Sequence, residues 1–189
     1  MKSSKSNQVP DAGVRTPTPE FALLGFLYQQ PAHGYELHQR FVTKLGFVWH
    51  ISQSQTYNIL KRLEVQGLVS GEVHAQRKRP AQRHLTLTPA GRTRFEQWLH
   101  APPRESVHTV RTDFLTRLYF VSQLHPDQVL PLLDAQEAQV RCGIARLKKQ
   151  LPEIPAEQLV NRLGVELRIN QLTALVKWLV VCRKRFTSR

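Results

Sequence analysis

The most constraining stretch of this chain runs from residue 52 to residue 88. An amphipathic helix pattern, SQSQTYNILKRLEVQ, is followed by a glycine and then by two β-rich runs, LVSGEVHA and RHLTLT, on either side of RKRPAQ. Ser52 suits an N-cap, and Gly67 suits the left-handed residue that ends a helix. Within the helix, Thr56, Ile59, Leu60 and Leu63 recur at core spacing, while Ser54, Tyr57, Asn58, Lys61 and Arg62 fall on the opposite face. In the hairpin, Val69, Val73 and Ala75 share one strand face and Leu85 and Leu87 share one on the partner strand. That apolar face can lie on the helices while Arg77, Lys78, Arg79 and Arg83 project from the tip. A helix tied to a cationic hairpin in this way demands further helices to cover its apolar side.

The sequence before it supplies them. FALLGFLYQQ is apolar on nearly every side, as expected of a helix surrounded by others, and Pro19 suits its first turn. After PAHG, YELHQRFVTKL predicts a second helix with Tyr35, Leu37, Phe41 and Leu45 inward and Glu36, Gln39 and Arg40 toward water. FVWHI, alternating and aromatic, reads as a short strand. After the hairpin, Thr88 caps a helix with Pro89 in its first turn, and APP at 101–103 breaks it. Residues 1–18 hold little to bury and read as a disordered, solvated arm.

The remainder is helical with a different pattern. VRTDFLTRLYFVSQL clusters Phe114, Leu115 and Leu118. Val129, Leu133, Gln136, Val140, Ile144, Leu147 and Leu151 then recur with the rhythm of a helix packed lengthwise on another. A last helix, roughly 156–184, carries Val160, Leu163, Leu167, Ala174, Trp178 and Cys182 at similar spacing, widened by Leu175 and Leu179. Two antiparallel helices cannot bury both stripes by themselves, which implies a second subunit. Leu133, Val140, Leu163, Leu167 and Trp178 are the expected dimerisation residues. The fold class is mainly α with a small β-hairpin. Residues 19–101 form a winged helix-turn-helix domain, and residues 105–186 form a helical dimerisation domain.

Charge narrows the partner. The chain carries 27 Lys and Arg against 14 Asp and Glu, a formal net charge of +13, and the excess is shared by both halves. Such a surface attracts a polyanion, either nucleic acid or an acidic membrane face. A helix about 10–12 Å across fits the DNA major groove of about 12 Å and presents its first turns to base edges. Here those turns carry Gln53, Ser54, Gln55, Tyr57 and Asn58. Gln and Asn can bond adenine bidentately, and Lys61 and Arg62 can reach phosphate or guanine. An ordinary solvated helix face would also be polar. The order of the elements, with a cationic wing beside the amphipathic helix, favours double-stranded DNA. The alternatives are a winged-helix protein-interaction module and a non-specific nucleic-acid binder. The first is opposed by the positive charge and the second by the lack of aromatic stacking platforms.

LLGFL, HGYEL, TYNILKRLEVQGLV, the RPAQRHLTLTPAGR wing and FLTRLYF together resemble the PadR family of transcriptional regulators over residues 20 to about 185. That resemblance implies a homodimer on a near-palindromic operator, usually repressing until an effector relieves it. It also places the recognition-helix tyrosine at Tyr57 and the wing arginine at Arg79. The second wing strand departs from the family's usual aromatic residues with His84 and Leu85.

A small aromatic effector could sit against Trp98, Phe114 and Tyr119, with Trp178 and Phe120 near; core packing is the other reading of the same rings. Glu96 and Asp113 are the acidic groups that could accompany it. No phosphate loop, nucleophile elbow or catalytic carboxylate pair occurs, so no enzyme, catalytic residue or cofactor is expected. Cys142 and Cys182 read as free thiols, and His33 and His38 lack the spacing of a helical metal site; His74 and His84 could face each other across the wing, but exposed hairpin histidines are common and no metal is expected. With no spanning segment or secretory leader, the chain is expected to be cytoplasmic.

Overall fold

The computed structural model describes residues 18–76 and 79–188, with the side chains of residues 73–82 left aside. The expected arm and the wing-tip residues Arg77 and Lys78 lie outside the described residues, and so does the Arg79 side chain. Helix α1 (Glu20–Gln29) is the hub. Every residue from Ala22 to Leu27 is buried, because α2, α3, α4, α6 and the sheet all pack around it. A helix with apolar residues on every side is stable only when it is enclosed in this way.

A two-residue strand β1 (Ala32–His33) precedes α2 (Gly34–Leu45). It pairs antiparallel with β3 (Arg79–Leu87), which pairs in turn with β2 (Val69–Gln76), giving the order β1-β3-β2. Register sets Ala32 against Leu85 and Val69 against Leu87, so Val69 and Leu85 meet the helical core. Two expectations are corrected here. FVWHI is not a strand: the N–H groups of Val48 and Trp49 both donate to the Leu45 carbonyl at 2.9 Å, turning the chain tightly, and β1 occupies the β3 edge instead. Tyr35 is not inward but 56% exposed. Leu37, Phe41 and Leu45, four apart, define the buried stripe of α2, and Tyr35 stands about 200° around the helix from Leu37.

Helix α3 (Gln53–Val65) ends in a Schellman motif: the Leu68 N–H reaches the Leu63 carbonyl and the Gly67 N–H reaches Glu64, both at 2.9 Å. Gly67 takes φ +69°, where a side chain would be strained. The Thr88 hydroxyl joins this corner to α4 (Pro89–Leu99), donating to the Gly67 carbonyl at 2.7 Å and accepting from the Gly91 N–H at 3.0 Å.

After the break at 101–103, α5 (Val107–Thr109), a π-helical turn (Val110–Phe114) and α6 (Leu115–Leu124) form one continuous rod. It is fastened to the winged-helix elements at three points. Phe120 fills the space left open by Gly25 and meets Phe26 and Phe95 edge-on, each at 5.3 Å. The indole of Trp49 donates to Thr116 Oγ1 at 2.8 Å, and that of Trp98 donates to Asp113 Oδ1 at 2.7 Å.

Helices α7 (Val129–Gln150) and α8 (Leu159–Thr187) form an antiparallel hairpin. Its open end is tied by Arg183 to Asp134. The stripe of α7 is as read from the sequence, with Val129, Leu133, Gln136, Val140 and Leu147 buried. The stripe of α8 is so only in its last part, where Leu179 is buried and Leu175, Trp178 and Cys182 pack against the core. Leu172, Val176 and Leu179, continued by Val165 and Ile169, face the core, whereas Ala174 is exposed. Leu159, Val160, Leu163 and Leu167 are 61%, 80%, 53% and 58% exposed. The spacing of α8 supports two stripes because Leu and Val occupy both sides of the helix. Among the described residues no helix is long and apolar enough to cross a membrane.

Candidate nucleic-acid interface

The polar face of α3 is built by its N-terminus. Ser52 and Gln55 form a reciprocal capping box, in which the Gln55 N–H donates to Ser52 Oγ at 3.2 Å and the Ser52 N–H donates to Gln55 Oε1 at 2.7 Å. Thr56, the polar member of the buried face, is fully covered, with its hydroxyl bonded to the Ser52 carbonyl and to His38 Nδ1. With Thr56, Ile59, Leu60 and Leu63 held inward, Gln53, Ser54, Tyr57, Asn58 and Lys61 are left in solvent along one side.

The remaining expected contacts are less free. Gln55 spends its carbonyl oxygen on the cap. Arg62 is exposed but ion-paired with Glu20 at the start of α1. Arg83 is paired with Glu64 at 2.8 Å, which fastens the wing root to the end of α3. Lys61 has no ion-pair partner among the described residues.

Between α3, the start of α2 and the wing root runs an open groove of about 510 Å³. Tyr57, Asn58, Lys61 and Arg83 line it, together with His33, Gly34 and Tyr35, which the sequence reading did not select. Gly34 lets the Tyr57 ring approach closely, since a Cβ at that position would stand 2.7 Å from the ring. The glycine in HGYEL, directly before a helix, was the available hint. The His33 ring lies beside that of His84 at 4.9 Å, tilted by 42°, and bonds the Arg83 carbonyl through Nδ1 at 3.1 Å. His74 therefore does not face His84 across the wing; its register partner is Gln82.

The expected effector residues are engaged in packing contacts. Trp98 stacks flat on Phe21 at 4.7 Å and is spent on Asp113, with the Arg117 guanidinium over its other side at 5.5 Å. Phe114 is buried, and Tyr119 packs beside Phe26 with its phenol pushed above the usual range by burial. Arg117 donates to the Ala101 carbonyl at 2.6 Å and pairs with Asp113 at 3.2 Å. Burial pulls this guanidinium below its usual range, against the opposing pull of Asp113. These rings and charges fill the junction between α1, α4 and the rod, so packing claims them. Leu133 and Val140 are likewise used inside the α7–α8 hairpin, at 2% and 0% exposure, and have no surface for a partner. Trp178 is half-buried against Phe114.

Comparison with known proteins identifies both halves. Residues 23–97 match the transcriptional regulator PadR-like family, and residues 110–187 match the virulence activator alpha C-terminal family. The negative transcriptional regulator PadR of Bacillus subtilis is 30% identical over 119 residues, which are 62% of this chain and 64% of that protein. This chain thus matches a little under two thirds of that relative's length. Among solved structures, Bacillus subtilis PadR with operator DNA is 23% identical, covering 88% of this chain and 98% of that one, with a TM-score of 0.42. The same protein with p-coumaric acid is 22% identical, covering 89% and 98%, with a TM-score of 0.39. Those overlays are loose, and the assignment rests on the family matches, which belong to regulators and not to enzymes. The chain belongs to the PadR-like family of transcriptional regulators, with a C-terminal region of the virulence activator alpha type.

Proposed function

We propose that this protein is a cytoplasmic, sequence-specific regulator that binds double-stranded DNA as a homodimer on an inverted-repeat operator. In this reading it acts as a repressor released by a small molecule. The observation that carries it is the division of α3 into a buried face and an exposed face of Gln53, Ser54, Tyr57, Asn58 and Lys61, set beside the wing that bears Arg77, Lys78, Arg79 and Arg83. Amides on the first turns read base edges, while Lys61 and the wing cations hold phosphate. Arg62 and Arg83 join by exchanging a carboxylate for a phosphate.

The second copy meets the exposed row Leu159, Val160, Leu163 and Leu167 of α8, an apolar surface that the protomer leaves uncovered. Residues 19–101 then serve as the reading module and residues 105–186 as the dimerising one. Repression and release by a small ligand follow the relatives, one named a negative regulator and solved with operator DNA and with p-coumaric acid.

A gel-shift series across salt concentration, with an inverted repeat from upstream of the protein's own gene and with random duplex, tests this. Half-site centres roughly 34 Å apart are expected. Lys61→Ala should weaken binding to every sequence and lower the salt slope by about 1. Equal affinity for both duplexes at every salt concentration would overturn the reading.

A further inference from the structure

We propose that the cleft between the segment 105–111 and α8 is a binding site for a small organic carboxylate. It rests on the effector-release reading above, and it names a site and a ligand class for that release. The cleft measures about 440 Å³, within the range of small-ligand sites. Arg111 of the π-helical turn, Arg168 and Gln171 of α8, and His108 line it, with Val107 and Leu172 as its apolar wall.

Its charge is uncompensated. Neither Arg111 nor Arg168 makes an ion pair among the described residues, whereas Arg62, Arg83, Arg117, Arg141, Arg146 and Arg183 all do. Glu105, the one carboxylate on the lining, is held by Arg146 and pressed against Gly143. Two arginines from different elements on the lining of a partly apolar cleft suit a carboxylate, because a guanidinium presents planar N–H pairs that match its oxygens. The Gln171 amide offers a further donor.

The position gives such a ligand leverage. Arg111 lies in the π-helical turn, and two residues on, Asp113 receives the Trp98 indole and the Arg117 guanidinium. The Thr116 hydroxyl, which takes the Trp49 indole, donates to the Thr112 carbonyl of the same turn at 2.8 Å. Both indoles of the winged-helix elements therefore grip the rod just beyond the segment that forms one wall of the cleft. Single π-helical turns of this kind occur frequently at functional sites. A carboxylate bridging Arg111 to Arg168 ties that segment to α8, and it shifts the reading module to the extent that it binds the two arrangements unequally.

Isothermal titration calorimetry on the full chain without DNA tests the site independently of DNA reading. The probes are p-coumarate, benzoate and succinate, with methyl p-coumarate as the uncharged control, at about physiological salt. At least one carboxylate should bind saturably while the ester does not, and Arg111→Ala and Arg168→Ala should each weaken it roughly tenfold or more. Lys149→Ala, on the exposed side of α7, should leave it unchanged. No saturable binding of any of the three at 10 mM (about the weakest binding the proposal allows), or binding that both arginine variants retain, would overturn the site. Release of a gel-shifted operator by the same carboxylate then tests the leverage. Release from the wild type but not from Arg168→Ala is expected, and equal release from both overturns it.

Discussion

Phe120→Ala is the sharpest test of how the two halves are joined. The ring belongs to α6, in the C-terminal part of the chain, yet it is fully buried among Gly25 and Phe26 of α1 and Phe95 of α4. Truncating a buried phenylalanine costs about 3–5 kcal/mol, the sum of lost transfer energy and the cavity left behind. Two edge-on ring contacts and walls supplied by two other helices, which resist collapse, place this site toward the upper end. Against a total stability of about 5–15 kcal/mol, that is a large fraction. In a chain of this size it corresponds to a fall of roughly 6–20 °C in Tm. Urea and thermal melts followed by circular dichroism, at one fixed protein concentration so that the proposed association does not enter the comparison, measure it. Phe47→Ala is the control, since Phe47 stands wholly in solvent and its loss should stay within about 0.5 kcal/mol. A loss below about 1.5 kcal/mol (well under the usual cost of such a truncation) for Phe120→Ala would refute the reasoning and detach α6 from the winged-helix core.

Two further outcomes concern surfaces. Leu163→Asp combined with Leu167→Asp should give monomers in sedimentation velocity and weaken operator binding, since one half-site supplies only part of the affinity; an unchanged dimer would move the interface elsewhere. Iodoacetamide followed by mass spectrometry should alkylate Cys142 well before Cys182. Cys142 is exposed, while burial raises the Cys182 thiol, only partly offset by Arg185, and so lowers its thiolate fraction. Faster reaction at Cys182 would contradict its packing.

What could be read from sequence divides along physical lines. The boundaries of α3 were legible because capping chemistry is local: Ser52 at one end and Gly67 at the other act within a turn of the chain. Its buried face was legible because four residues at helical spacing admit one solution. FVWHI misled because an aromatic alternation fits either a strand or a turn anchored by one indole, and the competing edge strand, Ala32–His33, is too short to announce itself. The face of α8 misled because apolar residues lie on both sides, so periodicity alone does not say which side meets α7. Within the site, exposure was legible and pairing was not. That Arg62 meets Glu20, 42 residues earlier in the chain, and that Arg83 meets Glu64 are consequences of tertiary structure. For the same reason, the packing of the rings expected around an effector was not legible, and a cleft lined by arginines without ion pairs among the described residues joins segments far apart in sequence.

Selection from a randomised duplex pool, run with the wild type and with Asn58→Ala, tests most directly that the exposed face of α3 reads DNA. The wild type should enrich an inverted repeat, and the variant should enrich the same repeat with preference lost at one position in each half-site. A wild type that enriches nothing, or a variant whose preference is identical to the wild type's, would contradict the account.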